Sequence, residues 1–205
     1  CAREYSKKFR WPKYPPEVVM KNFIEPYDNA LSQEECKYII DYMNTGDRLK
    51  PGVVVGLSHQ TSVEVDIKDS FDMRLNFNDD NKVNDIILQA FINCLRLYVK
   101  KHSQLDMIAP WAIFPIYNLQ KYNPLQGYHS LHCENCNPSA LASRRIMAWM
   151  FYLNTVTDGG GTYFDNYDLT MDAVEGRCVL WPAYWTHMHK GIVSKTETKY
   201  IATGW

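Results

Sequence analysis

The thirteen residues YNPLQGYHSLHCE, from Tyr122 to Glu134, place an imidazole and a carboxylate two positions apart. Asn123-Pro124 is a turn signal, and the residues from 127 to 134 are predicted to form a strand. Side chains alternate between the two faces of a strand, so His132 and Glu134 should point the same way. The segment therefore presents two metal-ligand types together, and a third ligand has to come from elsewhere in the chain.

Two further histidines, His187 and His189, are candidates for the third ligand because they lie two residues apart on one predicted strand. Two histidines and one carboxylate on one face of a metal leave the opposite face open for a bidentate cosubstrate and O2. A structural zinc site has all four positions filled and would leave none. The pattern thus favours the facial site of non-haem Fe(II) oxygenases, with either histidine as the third ligand.

Short predicted strands fill the second half of the chain, which is typical of a sandwich or jelly roll. They are expected at 111–122, 127–134, 145–154, 161–165, 177–181, 187–193 and 199–205. A turn over 194–198 would pair the last two as a hairpin, with Val193 opposite Lys199 and His189 opposite Thr203. Lys199 would then lie roughly 13 Å along the ladder from His189. It would share a face with Ile201, Thr203 and Trp205.

The first half of the chain is predicted to carry helices. Ser32 and Glu35 have the spacing of a capping box at the start of a helix over 32–44. An apolar stripe at helical spacing predicts a second helix over 84–102, and Pro51 to Ser70 should add edge strands or a loop. We expect a single domain over 1–205, with helical support and edge strands in 1–105 and the core with its site in 106–205.

Composition narrows the class of protein. The chain has 205 residues, 46% of them hydrophobic, and a formal net charge of -1. A near-neutral chain is a poor candidate for a general nucleic-acid binder, and no apolar run reaches membrane-spanning length. We therefore expect neither nucleic acid nor membrane as a partner. The six cysteines are scattered, which favours reduced thiols in a cytoplasmic, reducing compartment.

A zinc site is the alternative use of the histidines. It would combine Cys133 and Cys136 with His187 and His189. The cysteine pair would have to leave the strand face that His132 uses, and the spacing of the histidines is too tight for a zinc finger. The oxygenase interpretation is preferred for this reason.

An ordered set of motifs over residues 118–205 resembles the 2-oxoglutarate/Fe(II) dioxygenases, specifically their prolyl 4-hydroxylase-like branch. The motifs are His132-Cys-Glu134, Tyr152-Leu-Asn154, Gly160-Gly161-Thr162-Tyr-Phe164, Gly176-Arg-Cys-Val-Leu-Trp181-Pro182, His189-Lys-Gly191 and Lys199. One departure is that Glu134 stands where prolyl hydroxylases usually have Asp. The resemblance implies a mainly β fold with N-terminal helices and a double-stranded β-helix (jelly-roll) core.

The resemblance also implies roles for individual residues. By position, the iron ligands are His132, Glu134 and His189, since the Gly and Lys that follow favour His189 over His187. Lys199 would hold the distal carboxylate of 2-oxoglutarate. The other cosubstrate-binding candidates are Tyr122, Tyr152, Thr203 and Trp205. Arg145 matches an Arg that opens the Tyr-Leu-Asn strand, and its role stays open.

The function implied is hydroxylation of an organic substrate with Fe(II), 2-oxoglutarate and O2, with ascorbate as a further candidate cofactor. The first choice of substrate is a peptidyl proline, so the expected partner is a protein or peptide. The alternatives are a hydroxylase of a free amino acid or other small metabolite, and a non-catalytic binding or sensing module on the same fold. The sequence leaves the oligomeric state open.

Overall fold

The structure is a computed structural model that describes residues 21–55, 60–135 and 141–205. Within the described residues of the first half of the chain lie two α-helices, α1 (Gln33–Asn44) and α2 (Lys82–Lys101). Short 3-10 helices are found at Ser103–Met107, Ala142–Arg144, Asp165–Tyr167 and Trp185–His187. The helices described here include none with the length and apolar character required to cross a membrane.

Fourteen strands make up the rest of the regular structure in the described residues. The strands before α2 are β1 (Glu25–Tyr27), β2 (Lys50–Pro51), β3 (Val54–Val55), β4 (Thr61–Ser62), β5 (Lys68–Asp69) and β6 (Phe71–Asn76). The strands after α2 are β7 (Ile116–Tyr122), β8 (Gly127–Tyr128), β9 (Met147–Tyr152), β10 (Thr162–Phe164), β11 (Leu169–Met171), β12 (Cys178–Pro182), β13 (His189–Gly191) and β14 (Lys199–Gly204).

The strands form one large antiparallel sheet and several small ones. The large sheet has the order β1-β12-β9-β14-β7-β6-β2, and the small sheet has the order β11-β10-β13. The strands β5 and β8 pair with each other, and an isolated bridge joins His132 to His189. Two facing sheets of this kind are the double-stranded β-helix, so the predicted fold class is confirmed.

Strand β9 shows why the large sheet is buried on both faces. Its residues alternate between two cores, with Trp149 and Phe151 in one and Met150 and Tyr152 in the other. The first core is formed against α1 and α2, and the second against the small sheet. Because both faces are covered, the strand is almost continuously apolar rather than alternating with polar residues.

Both helices begin where capping chemistry predicts. The Ser32 side chain accepts from the backbone N–H of Glu35, and the Glu35 carboxylate accepts from the backbone N–H of Ser32 at 2.8 Å. This is the complete capping box expected for α1. The second helix begins slightly earlier than expected, because the Asn81 side chain accepts from the backbone N–H of Val83 and caps it.

Two expectations about strands were wrong, and one strand was missed. The residues from 127 to 134 form a two-residue strand, a bend, the His132 bridge and a turn at Glu134, rather than one continuous strand. The hairpin between the last two strands is absent, because β13 pairs with β10 whereas β14 pairs with β7 and β9. The strand β11 was not expected, and it forms a hairpin with β10.

Strands from the first half of the chain extend the large sheet well beyond its core. The strand β6 pairs with β7, and β2 forms the edge beyond β6. Between Pro51 and Ser70, where edge strands or a loop were expected, the described strands are β3, β4 and β5, which belong to small two-stranded sheets rather than to the edge of the large sheet. The strands β6 and β2 give the large sheet a broad face that continues outward from β14, and the candidate site opens onto this face.

Candidate active site

His132, Glu134 and His189 converge at one point between the two sheets. One possible ligand atom from each residue lies within 4.8 Å of the other two. Oε1 of Glu134 is 3.6 Å from Nε2 of His132 and 3.4 Å from Nε2 of His189. The convergence does not come from strand alternation, as expected, but from the bridge that aligns His132 with His189 and from the turn that follows it.

Both imidazoles are oriented by the same local device. Nδ1 of His132 lies 3.0 Å from the carbonyl oxygen of Ser130, and Nδ1 of His189 lies 2.9 Å from that of His187. A carbonyl oxygen only accepts, so each Nδ1 carries the proton and donates it. The Nε2 atom of each ring is thereby turned toward the cluster, where its lone pair can bind a metal once Nε2 gives up any proton it holds. The donor set of two imidazoles and one carboxylate therefore fits Fe(II).

The other oxygen of Glu134 is held on the far side by two residues. Trp205 donates from Nε1 to Oε2 at 2.6 Å, and Nη1 of Arg145 lies 3.6 Å from the same atom. The Arg145 guanidinium in turn stacks 3.3 Å above the Trp205 ring. Burial raises the pKa of Glu134, but the adjacent His132 and His189 outweigh burial and hold it well below its usual range. The carboxylate is thus ionised and pointed at the histidines.

Lys199 lies in the same cavity as a buried cation. Its side chain has no hydrogen-bond or carboxylate partner in the part of the chain that the structure describes. The ammonium lies 4.7 Å from the centre of the Tyr122 ring, and burial lowers the pKa of Lys199 to about 8. A buried ammonium without a counter-charge is costly, so this position is suited to an anionic ligand.

The cavity that contains these groups has a volume of about 790 Å³. Its interior is lined by His132, Glu134, Met150, Trp181, His189 and Lys199. This volume lies toward the upper end of the roughly 300–1,000 Å³ found for small-molecule sites. The cavity therefore has room for a small acid between the histidines and Lys199 and for part of a larger substrate.

The 2OG-Fe(II) oxygenase superfamily has a family model that matches residues 117–205, the part of the chain that carries all of these groups. Residues 117–205 therefore carry the oxygenase domain of this superfamily. The protein is a 2-oxoglutarate-dependent Fe(II) dioxygenase, and its cofactors are Fe(II), 2-oxoglutarate and O2. No curated protein matches the oxygenase in sequence.

Solved structures similar to the oxygenase include several prolyl hydroxylases. A viral collagen prolyl hydroxylase from Paramecium Bursaria Chlorella virus-1, solved as a 2OG complex, is 18% identical, with a TM-score of 0.64 and coverage of 89% of this chain and 94% of that one. A Pseudomonas putida prolyl-4-hydroxylase is 16% identical, with a TM-score of 0.65 and coverage of 90% and 91%.

A third similar structure is the Trichoplax adhaerens prolyl hydroxylase in complex with a peptide fragment of the hypoxia inducible factor oxygen degradation domain. It is 14% identical, with a TM-score of 0.69 and coverage of 90% of the oxygenase and 83% of the other chain. At these identities the likeness concerns the fold, which this chain shares with the three prolyl hydroxylases.

His187, the alternative third ligand, points away from the cluster. Its Nε2 lies 2.7 Å from the carbonyl oxygen of Asn22, and its Nδ1 lies 2.9 Å from the Thr186 hydroxyl. Of the two histidines, the structure brings only His189 to His132 and Glu134. For the zinc alternative, Cys136 lies outside the described residues.

The predicted cosubstrate-binding residues differ in whether they line the cavity. Tyr122, Thr203 and Trp205 line the cavity together with Lys199. Tyr152 does not line it, because its hydroxyl is 2.7 Å from Oγ1 of Thr162 and donates to the carbonyl oxygen of Met171 at 3.1 Å. This placement gives no support to the direct contact expected for Tyr152. Thr162, which does line the cavity, takes its place at the wall.

The Tyr122 hydroxyl belongs to a buried polar chain that reaches β6. It donates to Oε1 of Gln120 at 2.8 Å, and the Gln120 amide donates to Oδ2 of Asp72 at 3.4 Å. Asp72 is also paired with the buried Lys68. Burial raises the pKa of Tyr122 well above its usual range, so the hydroxyl remains a donor. These hydrogen bonds fix the Tyr122 ring beneath the Lys199 ammonium.

Several residues of the site were not found from the sequence. Tyr128 stacks on the His132 ring at 3.7 Å between centroids, and Trp181 packs edge-on against His189 at 5.2 Å. Gln120 and Asp72 belong to the polar chain described above. The sequence did hold a signal for Gln120, which is one of the polar residues that alternate along the largely buried strand β7. A buried glutamine must find hydrogen-bond partners, so its position indicates a buried polar contact.

Proposed function

We propose that the oxygenase hydroxylates a proline residue within a peptide or protein. The observation that carries the proposal is the pairing of two features in one cavity. They are the His132, Glu134 and His189 cluster and the buried ammonium of Lys199, which has no carboxylate partner among the described residues. The choice of proline is supported by the fold, which resembles prolyl hydroxylases over about nine-tenths of the chain.

The residues of the site would have separate roles in binding the metal and the cosubstrate. His132, Glu134 and His189 would hold Fe(II), and Lys199 would pair with the distal carboxylate of 2-oxoglutarate. The bound metal with 2-oxoglutarate and O2 supplies the oxidising chemistry, in which 2-oxoglutarate gives succinate and CO2 and one oxygen atom enters the substrate. Trp205 and Arg145 would keep the Glu134 carboxylate pointed at the metal position.

The cavity wall contributes orientation and exclusion of water. Met150, Trp181 and Ile201 present apolar surface to the cavity around the polar groups. In a dry environment the attraction between Lys199 and a carboxylate is stronger than it would be in water. The wall would thus fix the cosubstrate in one orientation and leave the open side of the cavity for the peptide.

Mass spectrometry of a peptide panel and a metabolite panel tests the proposal. Each panel is incubated with the enzyme, Fe(II), 2-oxoglutarate and O2, and substrates are examined for the gain of one oxygen atom. The expected result is oxygen on proline in peptides, together with succinate formation that requires added Fe(II). Oxygen gained only by a free amino acid or another metabolite would show that the peptidyl substrate is wrong.

A further inference from the structure

The cavity mouth carries three exposed basic side chains from one edge of the large sheet. These are Arg48, Lys50 and Arg74, which line the cavity and are called the cationic shelf below. The one carboxylate among the exposed cavity-lining residues of the described chain is Glu64, which accepts a hydrogen bond from Ser62. The shelf is therefore a site of excess positive charge in a chain whose formal net charge is -1.

The shelf cations have few partners of their own. Arg74 has no hydrogen bond and no ion pair within the described ranges. Arg48 lies over the Tyr42 ring at 4.6 Å, and Lys50 pairs with Asp47 at 3.2 Å in an exposed ion pair, a kind of contact that stabilises little. Their donors are thus available to an incoming anion.

Strand register places the shelf at a definite distance from β14, the strand that leads to the Glu134-binding Trp205. Arg74 pairs with Asn118 on β7, and Asn118 pairs with Thr203 on β14, two residues before Trp205, which contacts Glu134. Two strand spacings separate Arg74 from β14, or about 10 Å. Lys50 pairs with Asp72 one strand further out, at about 14 Å. An occupant that contacts both β14 and the shelf has to span this length.

The segment that contains β3 and β4 forms another part of the cavity lining. Its apolar residues there are Val53, Val54 and Ile67, and Val53 is 48% exposed; Thr61, Ser62 and Glu64 line the cavity beside them. A mouth with apolar side chains and three exposed cations is complementary to an extended peptide that has acidic side chains on one side. An extended chain rises about 3.3 Å per residue, so 10–14 Å corresponds to about three to four residues.

We propose that the cationic shelf binds an acidic side chain of the peptide substrate, three to four residues from the proline that is hydroxylated. The inference rests on the proposed function, because it takes the occupant of the cavity to be a peptide. The shelf selects among proline-containing peptides by charge, whereas the metal-ligand cluster and Lys199 are indifferent to the flanking sequence.

Matched peptides with a single central proline test the proposal. One set carries Asp and Glu three and four residues before the proline, and another carries them after it. In the reference peptides Asn and Gln replace the acids, and in a further set Lys replaces them. Affinity is measured by fluorescence anisotropy with 2-oxoglutarate present, and hydroxylation by mass spectrometry. We expect acidic peptides of one set to bind about 5–10-fold more tightly than their amide counterparts, with the difference shrinking at high salt.

Charge reversal on the shelf gives the matched test. Arg74→Glu should remove the preference for acidic peptides and improve binding of the Lys peptides, which also shows that the variant is folded. Arg96→Glu makes the same charge change at an exposed position of α2 on the other side of the sheet and should leave the preference intact. Equal binding of acidic and amide peptides, or equal effects of the two variants, would overturn the proposal.

The outcomes separate this inference from the proposed function. If acidic peptides bind preferentially but none gains oxygen, the shelf is supported and prolyl hydroxylation is not. If prolines are hydroxylated equally in acidic and amide peptides, prolyl hydroxylation is supported and the shelf is not. A single-stranded oligonucleotide that binds more tightly than the acidic peptides, and is weakened by Arg74→Glu, would assign the shelf to nucleic acid and overturn the proposal.

Discussion

The Trp205 indole donates a hydrogen bond of 2.6 Å to Oε2 of Glu134, the carboxylate oxygen that faces away from the histidines. The chain carries Glu at a position where the prolyl hydroxylase pattern has Asp, so its carboxylate has one more rotatable bond to fix. Trp205 and the Arg145 guanidinium stacked on it supply that constraint from the far side. Trp205 and Arg145 lie outside the cluster, and they thereby fix the orientation of the Glu134 carboxylate within it.

Replacing this indole should weaken metal binding. Trp205→Phe keeps an aromatic ring but removes the donor, and loss of a hydrogen bond to a ligand typically lowers metal affinity by about 10–100-fold. Calorimetric titration with Mn(II) measures the effect. Trp185→Phe is the control, because Trp185 is 73% exposed and lies outside the cavity lining. Unchanged affinity in Trp205→Phe would show that the indole does not orient Glu134.

Removing the Lys199 charge should weaken cosubstrate binding and leave the metal site intact. Lys199→Ala deletes the cation proposed to pair with the distal carboxylate, and charge-assisted contacts contribute about 1.5–3 kcal/mol, so we expect a rise of about 10–100-fold in the 2-oxoglutarate dissociation constant. Lys195→Ala changes an exposed lysine in the turn before β14 and should have no effect. Wild-type cosubstrate affinity in Lys199→Ala would refute the assignment.

The same lysine should give cosubstrate binding a characteristic pH dependence. Burial lowers the pKa of Lys199 to about 8, so in the free protein the ammonium predominates below that pH and the neutral amine above it. Only the ammonium pairs with a carboxylate, so 2-oxoglutarate affinity should fall as pH rises through about 8. Lys199→Arg stays protonated over this range and should bind with little pH dependence. Parallel profiles for both proteins would contradict the interpretation.

Without cosubstrate, Lys199 should destabilise the fold. Its pKa falls from 10.5 to about 8 on folding, so the ammonium costs stability below pH 8, on the order of 3 kcal/mol, and the cost disappears as pH rises toward 10.5. Lys199→Met should therefore raise the melting temperature of the ligand-free protein at pH 7 and lose this advantage at alkaline pH. Melting temperatures of the wild-type protein and of Lys199→Met, measured by thermal unfolding at several pH values, test this. A Lys199→Met protein that is less stable than the wild type at pH 7 would contradict it.

The local features of the fold could be predicted from the sequence. The capping box at Ser32 and the apolar stripe of α2 act within a few residues, so their chemistry is visible along the chain. The partners of β13 and β14 were not predictable in this way. Strand pairing is decided by burial and long-range contacts, and the short turn between β13 and β14 suggested a hairpin that the structure replaces with pairing to two different sheets.

The same distinction applies to the site. The residue types and order of His132, Glu134 and His189 indicated a cluster, although the strand geometry used to align the first two was wrong. Tyr152 shows the limit of assigning contacts from a motif, because its hydroxyl is satisfied by Thr162 and Met171 instead. The shelf residue Arg74 comes from a strand with no motif, and only the register of β6 against β7 brings it to the cavity.

We expect His132, Glu134 and His189 to hold one Fe(II) that 2-oxoglutarate then chelates. Anaerobic addition of Fe(II) and 2-oxoglutarate should produce the visible charge-transfer absorption of a chelated complex. The wild-type protein and His187→Ala should both show this absorption, and His189→Ala should lose it. Absorption retained in His189→Ala and lost in His187→Ala would contradict it.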